Sequence, residues 1–279
     1  MSPLFHGWTS FARCGVGILC LLWPSAVVAQ ESASQGRFAD QLYTTPATAL
    51  RSIELPREHV ERYSQALLQA YLRFYQVTEA SLLYRGERVD YIRSIVATLD
   101  DNLDRSEYFD FIRVRAFEAN TPIAHALPSG ILLVSHSLVQ VTRSEDALAG
   151  ALAHELSHLD LGHVLRIPRA MVHQGRRIEE LRPSDWTDLI THPYTLDEEL
   201  AADASALRWL RAAGWDPALY GQYLLRRSKD QRFAQRWFHG HLAPALFLSE
   251  LKHPELERRL QAMRQQGVTL APRAAAGGP

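Results

Sequence analysis

Ser144-Glu-Asp-Ala-Leu-Ala-Gly-Ala-Leu-Ala-His154-Glu155-Leu-Ser-His158 decides how this chain is read. The spacing predicts a helix. Leu148, Leu152 and Leu156 recur every four residues, Ser144 can cap the first turn, and Glu145 and Asp146 suit the positive end of the helix dipole. Side chains four apart on a helix lie one above the other, so His154 and His158 point the same way and can grip one metal ion. Glu155, one step along, can reach a water at such an ion and take its proton.

H-E-x-x-H is short enough to arise by accident, so the reading needs a third ligand. One known extension places Gly three and His six positions beyond the second histidine. Here those positions hold Leu161 and Val164, and that extension fails. Gly162 and His163 are each displaced by one residue. If the helix continues, His163 falls roughly opposite His154, as a structural or surface histidine rather than a ligand. The other source of a ligand is a downstream helix with an inward carboxylate, and Leu196-Asp-Glu-Glu199-Leu-Ala-Ala-Asp203-Ala-Ser-Ala-Leu207 supplies one. Leu196, Leu200, Ala204, Leu207 and Leu210 mark its expected buried face, bordered by Glu199 and Asp203. Glu198 is expected to point away with Ala202, Ser205 and Trp209. Glu199 is therefore the expected third ligand. Asp203, one turn on, is placed to accept a hydrogen bond from a ligand histidine's free N–H.

H-E-x-x-H followed downstream by E-x-x-A-D resembles the HtpX/BepA-type zinc metallopeptidase family, which includes the CAAX prenyl proteases. Three further blocks carry the resemblance, in the family's order. Ala124-His-Ala-Leu-Pro128-Ser-Gly130-Ile-Leu-Leu-Val134 is similar to the segment before the zinc helix, though with Ile123, His125 and Ser129 where Asn, Phe and Gly are usual. Gly214-Trp-Asp216-Pro217 is similar to the turn after the E-x-x-A-D helix, and His253-Pro-Glu-Leu-Glu-Arg-Arg259-Leu-Gln-Ala-Met263 to the closing helix. The resemblance implies an α+β fold: a mostly helical, gluzincin-like zincin in a single domain with a small edge β-sheet. It implies one Zn²⁺ held by His154, His158 and Glu199, with Glu155 as the general base. From the closing block, His253 is expected to stabilise the oxyanion and Arg259 to pair with a carboxylate near the site. The implied function is a zinc endopeptidase acting on misfolded or mislocalised envelope and outer-membrane proteins, with peripheral association to the outer-membrane assembly machinery.

The rest of the chain sets the context. At 279 residues and 47% hydrophobic, it can bury a full core in one domain. Thirty basic and 31 acidic residues nearly cancel and form no basic stripe, which argues against a nucleic-acid partner. Residues 1–29 read as an export signal: Arg13 is their only charge, Gly15 to Leu22 is apolar, and Val27-Val-Ala29 is a small-residue cleavage site. An uncleaved anchor or a lipoprotein at Cys20 are the alternatives. Cys14 and Cys20 both lie there, so the mature chain is expected to hold no thiol. No later apolar run approaches the length of a membrane span, so the expected location is the periplasm.

Residues 30–55 read as a polar linker or arm, 56–265 as the peptidase domain and 266–279 as a disordered tail. Arg57 to Tyr84 and Val89 to Leu103 are expected helices. Residues 167–195 are expected to be a long lid-like connection, holding His173 and His192 as loop histidines. Asp216 with Pro217 starts a helix to about Ala234. Gly130, Ile131, Leu132, Leu133 and Val134 form a β-type run expected to be an edge strand, whose free N–H and C=O groups would hold the substrate backbone. Trp237-Phe-His239-Gly-His241 leads an aromatic loop. Either its histidines are incidental to packing, or His239 or His241 reaches the zinc as a regulatory fourth ligand and leaves the enzyme latent. That second possibility defines an alternative function, a chaperone or adaptor for envelope protein assembly with blocked proteolysis.

Overall fold

The computed structural model describes residues 38–103, 108–191, 193–229 and 254–270. Its chain enters through α1 (Phe38–Tyr43) and α2 (Ala47–Leu50), which lie in the segment read as a linker. Phe38, Leu42 and Leu50 are buried, so this arm is tied down by hydrophobic contact. Next come α3 (Arg57–Phe74) and α4 (Glu87–Asp100). The long helix expected to reach Tyr84 stops ten residues short. Gln76 takes a left-handed φ of 56° and Val77 N–H donates back to the Leu72 carbonyl, closing the helix end without a glycine.

Strands β1 (Arg113–Phe117), β2 (Ala124–Leu127) and β3 (Ile131–Ser135) form one sheet in the order β1-β3-β2. β3 runs parallel to β1 and antiparallel to β2. With the helices that follow, this makes a mostly helical α+β domain with a small sheet. The sheet also separates two hydrophobic cores. Val114, Ala116, Ala126, Leu132 and Val134 face one, while Phe117, Leu127, Ile131 and Leu133 face the other. Every residue of β3 is buried, which is why its sequence is a continuous apolar run instead of an alternating one.

That placement corrects the expectation for residues 130–134. Ile131 to Val134 form the central strand, paired on both sides, so their backbone groups are already used. Gly130 sits in the β2–β3 turn at φ 78°, with the Phe109 ring where a side chain would go. The outer edge belongs to β2. Ile123 receives the Ser135 N–H and donates to Ser135 Oγ, so odd-numbered residues of β2 face β3 and the backbone groups of Ala124 and Ala126 face outward.

After β3 come α5 (His136–Thr142), α6 (Glu145–Asp160), α7 (Arg166–His173), α8 (Pro183–Thr191), α9 (Leu196–Ala213), α10 (Pro217–Lys229) and α11 (Pro254–Gln265). The connection at 167–195 is therefore largely helical; Pro168 is accommodated in the first turn of α7, where its missing N–H costs nothing. Residues 266–270, expected to belong to a disordered tail, pack onto the domain through Val268 and Leu270. No helix among the described residues is long and apolar enough to cross a membrane.

Candidate metal centre and active site

Helix α6 carries the first half of the site. Ser144 Oγ accepts the Ala147 N–H, and Glu145 and Asp146 occupy the first turn. Small residues on this helix, Ala147, Ala149, Gly150 and Ala153, are all buried and let α9 and α10 pack against it. Leu148, Leu152 and Leu156 are fully buried, each burial contributing roughly 1.5–3 kcal/mol. His154 and His158 end up buried with Nε2 atoms 3.2 Å apart.

Helix α9 supplies the second half. Thr195 caps it, its hydroxyl accepting the Glu198 N–H while the Glu198 carboxylate accepts the Thr195 N–H. Glu199 then faces α6, with Oε2 at 3.3 Å from His154 Nε2 and Oε1 at 3.6 Å from His158 Nε2. Glu198 does not point away. It is buried and paired with Arg166 at 3.0 Å. Ala202, Ser205 and Trp209 are buried as well, because α9 packs against α4, α6, α10 and α11 together and leaves exposed only Asp197, Ala201, Arg208, Arg211 and Ala212.

Asp203 lies one turn beyond Glu199. Its Oδ1 is 2.9 Å from His154 Nδ1 and also accepts the Tyr220 hydroxyl at 3.1 Å. Arg259, on α11, reaches across both carboxylates. Its Nε and Nη2 hold Asp203 at 2.7 and 2.8 Å, and Nη1 holds Glu199 at 2.6 Å. Arg259 therefore positions carboxylates, and its Nη2 also comes to 3.5 Å from the His154 ring. The turn before α10 docks the ring of contacts onto α6. Gly214 adopts φ 84°, Trp215 Nε1 donates to Glu145, and Asp216 N–H donates to Asp146. His239, His241 and His253 lie outside the described residues.

The electrostatics follow from burial and these pairs. Burial pushes Glu155 up to about 7, with His154 and the Ala126 N–H at 3.2 Å pulling the other way. Burial and Arg259 push His154 down, but the carboxylates of Asp203 and Glu199 outweigh them and lift it to about 9. Burial lowers His158 well below its usual value, so it is a neutral imidazole. Burial disfavours the Asp203 carboxylate, yet Arg259 and His154 bring it down to about 2; Glu199 is held ionised in the same way.

His154, His158 and Glu199 each offer one ligand atom to a common point. A tetrahedral centre with bonds of about 2.0–2.1 Å has ligand–ligand edges near 3.3 Å. The 3.2 Å between the two histidine nitrogens matches such an edge, and Glu199 brings one carboxylate oxygen to 3.3 Å from His154 and the other to 3.6 Å from His158. His158 as a neutral imidazole and Glu199 as an ionised carboxylate are already in the donor states a metal requires, whereas His154, lifted by its carboxylates, gives up a proton on binding one.

Sequence reasoning missed how His163 and Tyr194 bear on the site. α6 ends at Asp160 and Gly162 turns left-handed at φ 70°, so the chain reverses and His163 returns to His158, with Nδ1 atoms 3.0 Å apart. Tyr194 lies flat on the His158 ring, with centroids 3.6 Å apart. Gly162 was the available signal, since a glycine there stops a helix.

Two histidines one turn apart, a carboxylate from a second helix and a half-buried glutamate between them define a metallopeptidase of the H-E-x-x-H class. Residues 87–178 match the model of peptidase family M48, a segment running from α4 through the H-E-x-x-H helix to just beyond α7. That segment, about a third of the chain, is thus similar to the M48-family metallopeptidases. No curated protein matches the chain.

Proposed function

We propose that the protein is a zinc-dependent endopeptidase of the cell envelope that cuts unfolded or misassembled proteins. The observation that carries this reading is the convergence of the His154 and His158 nitrogens, 3.2 Å apart, with the Glu199 carboxylate, and the Glu155 carboxylate on the same turn of α6. When bound at His154, His158 and Glu199, zinc would supply Lewis acidity to the scissile carbonyl and to the attacking water. Glu155, raised toward neutrality by burial, accepts that water's proton and passes it to the leaving amine. An extended substrate pairs with the outward backbone groups of Ala124 and the carbonyl of Ala126 on β2, whose Ala126 N–H holds Glu155. Such pairing uses main-chain groups alone, which suits an enzyme that takes unfolded chains of varied sequence. The export signal read in residues 1–29 supports a periplasmic location for this activity.

The test is cleavage of unfolded casein by the purified full chain, with fragments mapped by mass spectrometry. Internal cuts that stop on chelation, return with zinc and vanish in Glu155→Gln support the reading. Shortening only from one end would point to an exopeptidase. If Glu155→Gln retains the protein's cellular effect, binding without proteolysis is the function instead.

A further inference from the structure

We propose that His163 is a positioning residue for the second ligand histidine: it accepts the Nδ1–H of His158 and so fixes that ring with its Nε2 lone pair toward the metal position. The inference rests on the metal reading above. His158 Nε2 is the atom that meets His154 Nε2 and Glu199, so it is the ligating nitrogen and carries no proton. A neutral imidazole then holds its proton on Nδ1, the atom 3.0 Å from His163 Nδ1. His163 Nδ1 must therefore accept, and its own proton sits on Nε2.

Two constraints act on the His158 ring together. The hydrogen bond fixes its tilt in the ring plane, and the Tyr194 ring, inclined by only 10°, blocks rotation out of that plane. The elements bearing these two groups are braced to each other. Arg166, three residues beyond His163, pairs with Glu198, and Glu198 closes the cap of α9 at Thr195, next to Tyr194. The two ligand histidines thus have different outer partners, a carboxylate for His154 and a neutral imidazole for His158. Groups in this outer position typically govern metal affinity 10- to 100-fold, roughly.

Zinc affinity of the full chain, measured by competition with a chromophoric chelator, tests the assignment. His163→Leu is expected to weaken zinc binding about 10- to 100-fold. His163→Asn, whose Oδ1 can replace Nδ1 as acceptor, is expected to recover most of that loss. A histidine that only packs would lower the melting temperature in His163→Leu and leave the affinity unchanged; that outcome, or equal losses in Leu and Asn, overturns the assignment. The zinc-loaded wild type gives a second readout that needs no variant to fold. In nitrogen NMR, His158 should carry its proton on Nδ1 and show coupling across the hydrogen bond to His163, and absence of either overturns the assignment. A wild type that binds no zinc overturns the metal reading itself, whereas one that binds zinc with His163→Leu unaltered overturns only the role of His163.

Discussion

Gly150→Ala adds one methyl group where α6 passes α10, and the structure leaves no space for it. A Cβ at position 150 would lie 2.4 Å from both Cβ and Cγ of Tyr220. Nonbonded carbons settle at about 3.5 Å or more, so the helices must part by roughly 1 Å. Tyr220 cannot swing clear, because its Cβ is fixed to the backbone. Two effects oppose each other. Alanine is favoured over glycine in a helix interior by about 1 kcal/mol, while overpacking a core costs about 1–3 kcal/mol. A contact this short puts the second effect at its upper end, for a net loss of about 2 kcal/mol. In a domain of this size that lowers the melting temperature by roughly 4–8 °C. Tyr220 also donates to Asp203, which holds His154, so zinc affinity should fall along with stability. Scanning calorimetry and chelator competition on the same samples read both. A variant as stable as wild type would refute the claim that Gly150 exists to let the two helices touch.

Other residues give sharper single readouts. Arg259→Leu strips the counter-charge from two buried carboxylates and should destabilise the metal-free protein by about 3–5 kcal/mol, with a smaller loss when zinc neutralises Glu199. Denaturant titrations with and without chelator check this, and equal losses would count against it. Asp203→Ala should weaken zinc binding about 10- to 100-fold by freeing the His154 ring, as chelator competition would show. His125, stacked on Tyr71 and bonded to the Tyr75 hydroxyl, is pushed down to about 3 by burial and by Arg227. The unfolded chain therefore binds a proton below about pH 6.5 that the folded protein refuses, and stability falls as pH drops from there toward 3. Full burial would cost about 2 kcal/mol at pH 5, and the partial exposure of His125 reduces that to about 1. His125→Phe should flatten this part of the stability–pH curve; an unchanged slope would show that another group controls it.

Local spacing made the two helices legible. His154, His158, Glu199 and Asp203 declare themselves through four-residue periodicity, and Ser144 through capping. What escaped depends on contacts between elements. Whether Ile131 to Val134 lie at an edge or in the middle is a matter of pairing, and only the continuous apolar run hinted at the answer. Glu198 looked like a solvated first-turn acid because its partner, Arg166, lies in another element. His163 was placed by extrapolating a helix that Gly162 ends. Arg259 was expected near one carboxylate, and its grip on two could not be read from one helix.

The most direct test of the account is zinc content and affinity across wild type, His154→Ala, His158→Ala, Glu199→Ala and Glu155→Gln, each assayed for casein cleavage. The account predicts about one tightly held zinc per chain in wild type and Glu155→Gln, loss of tight binding in the three ligand variants, and cleavage by wild type alone. Glu199→Ala with wild-type zinc affinity and activity would contradict it.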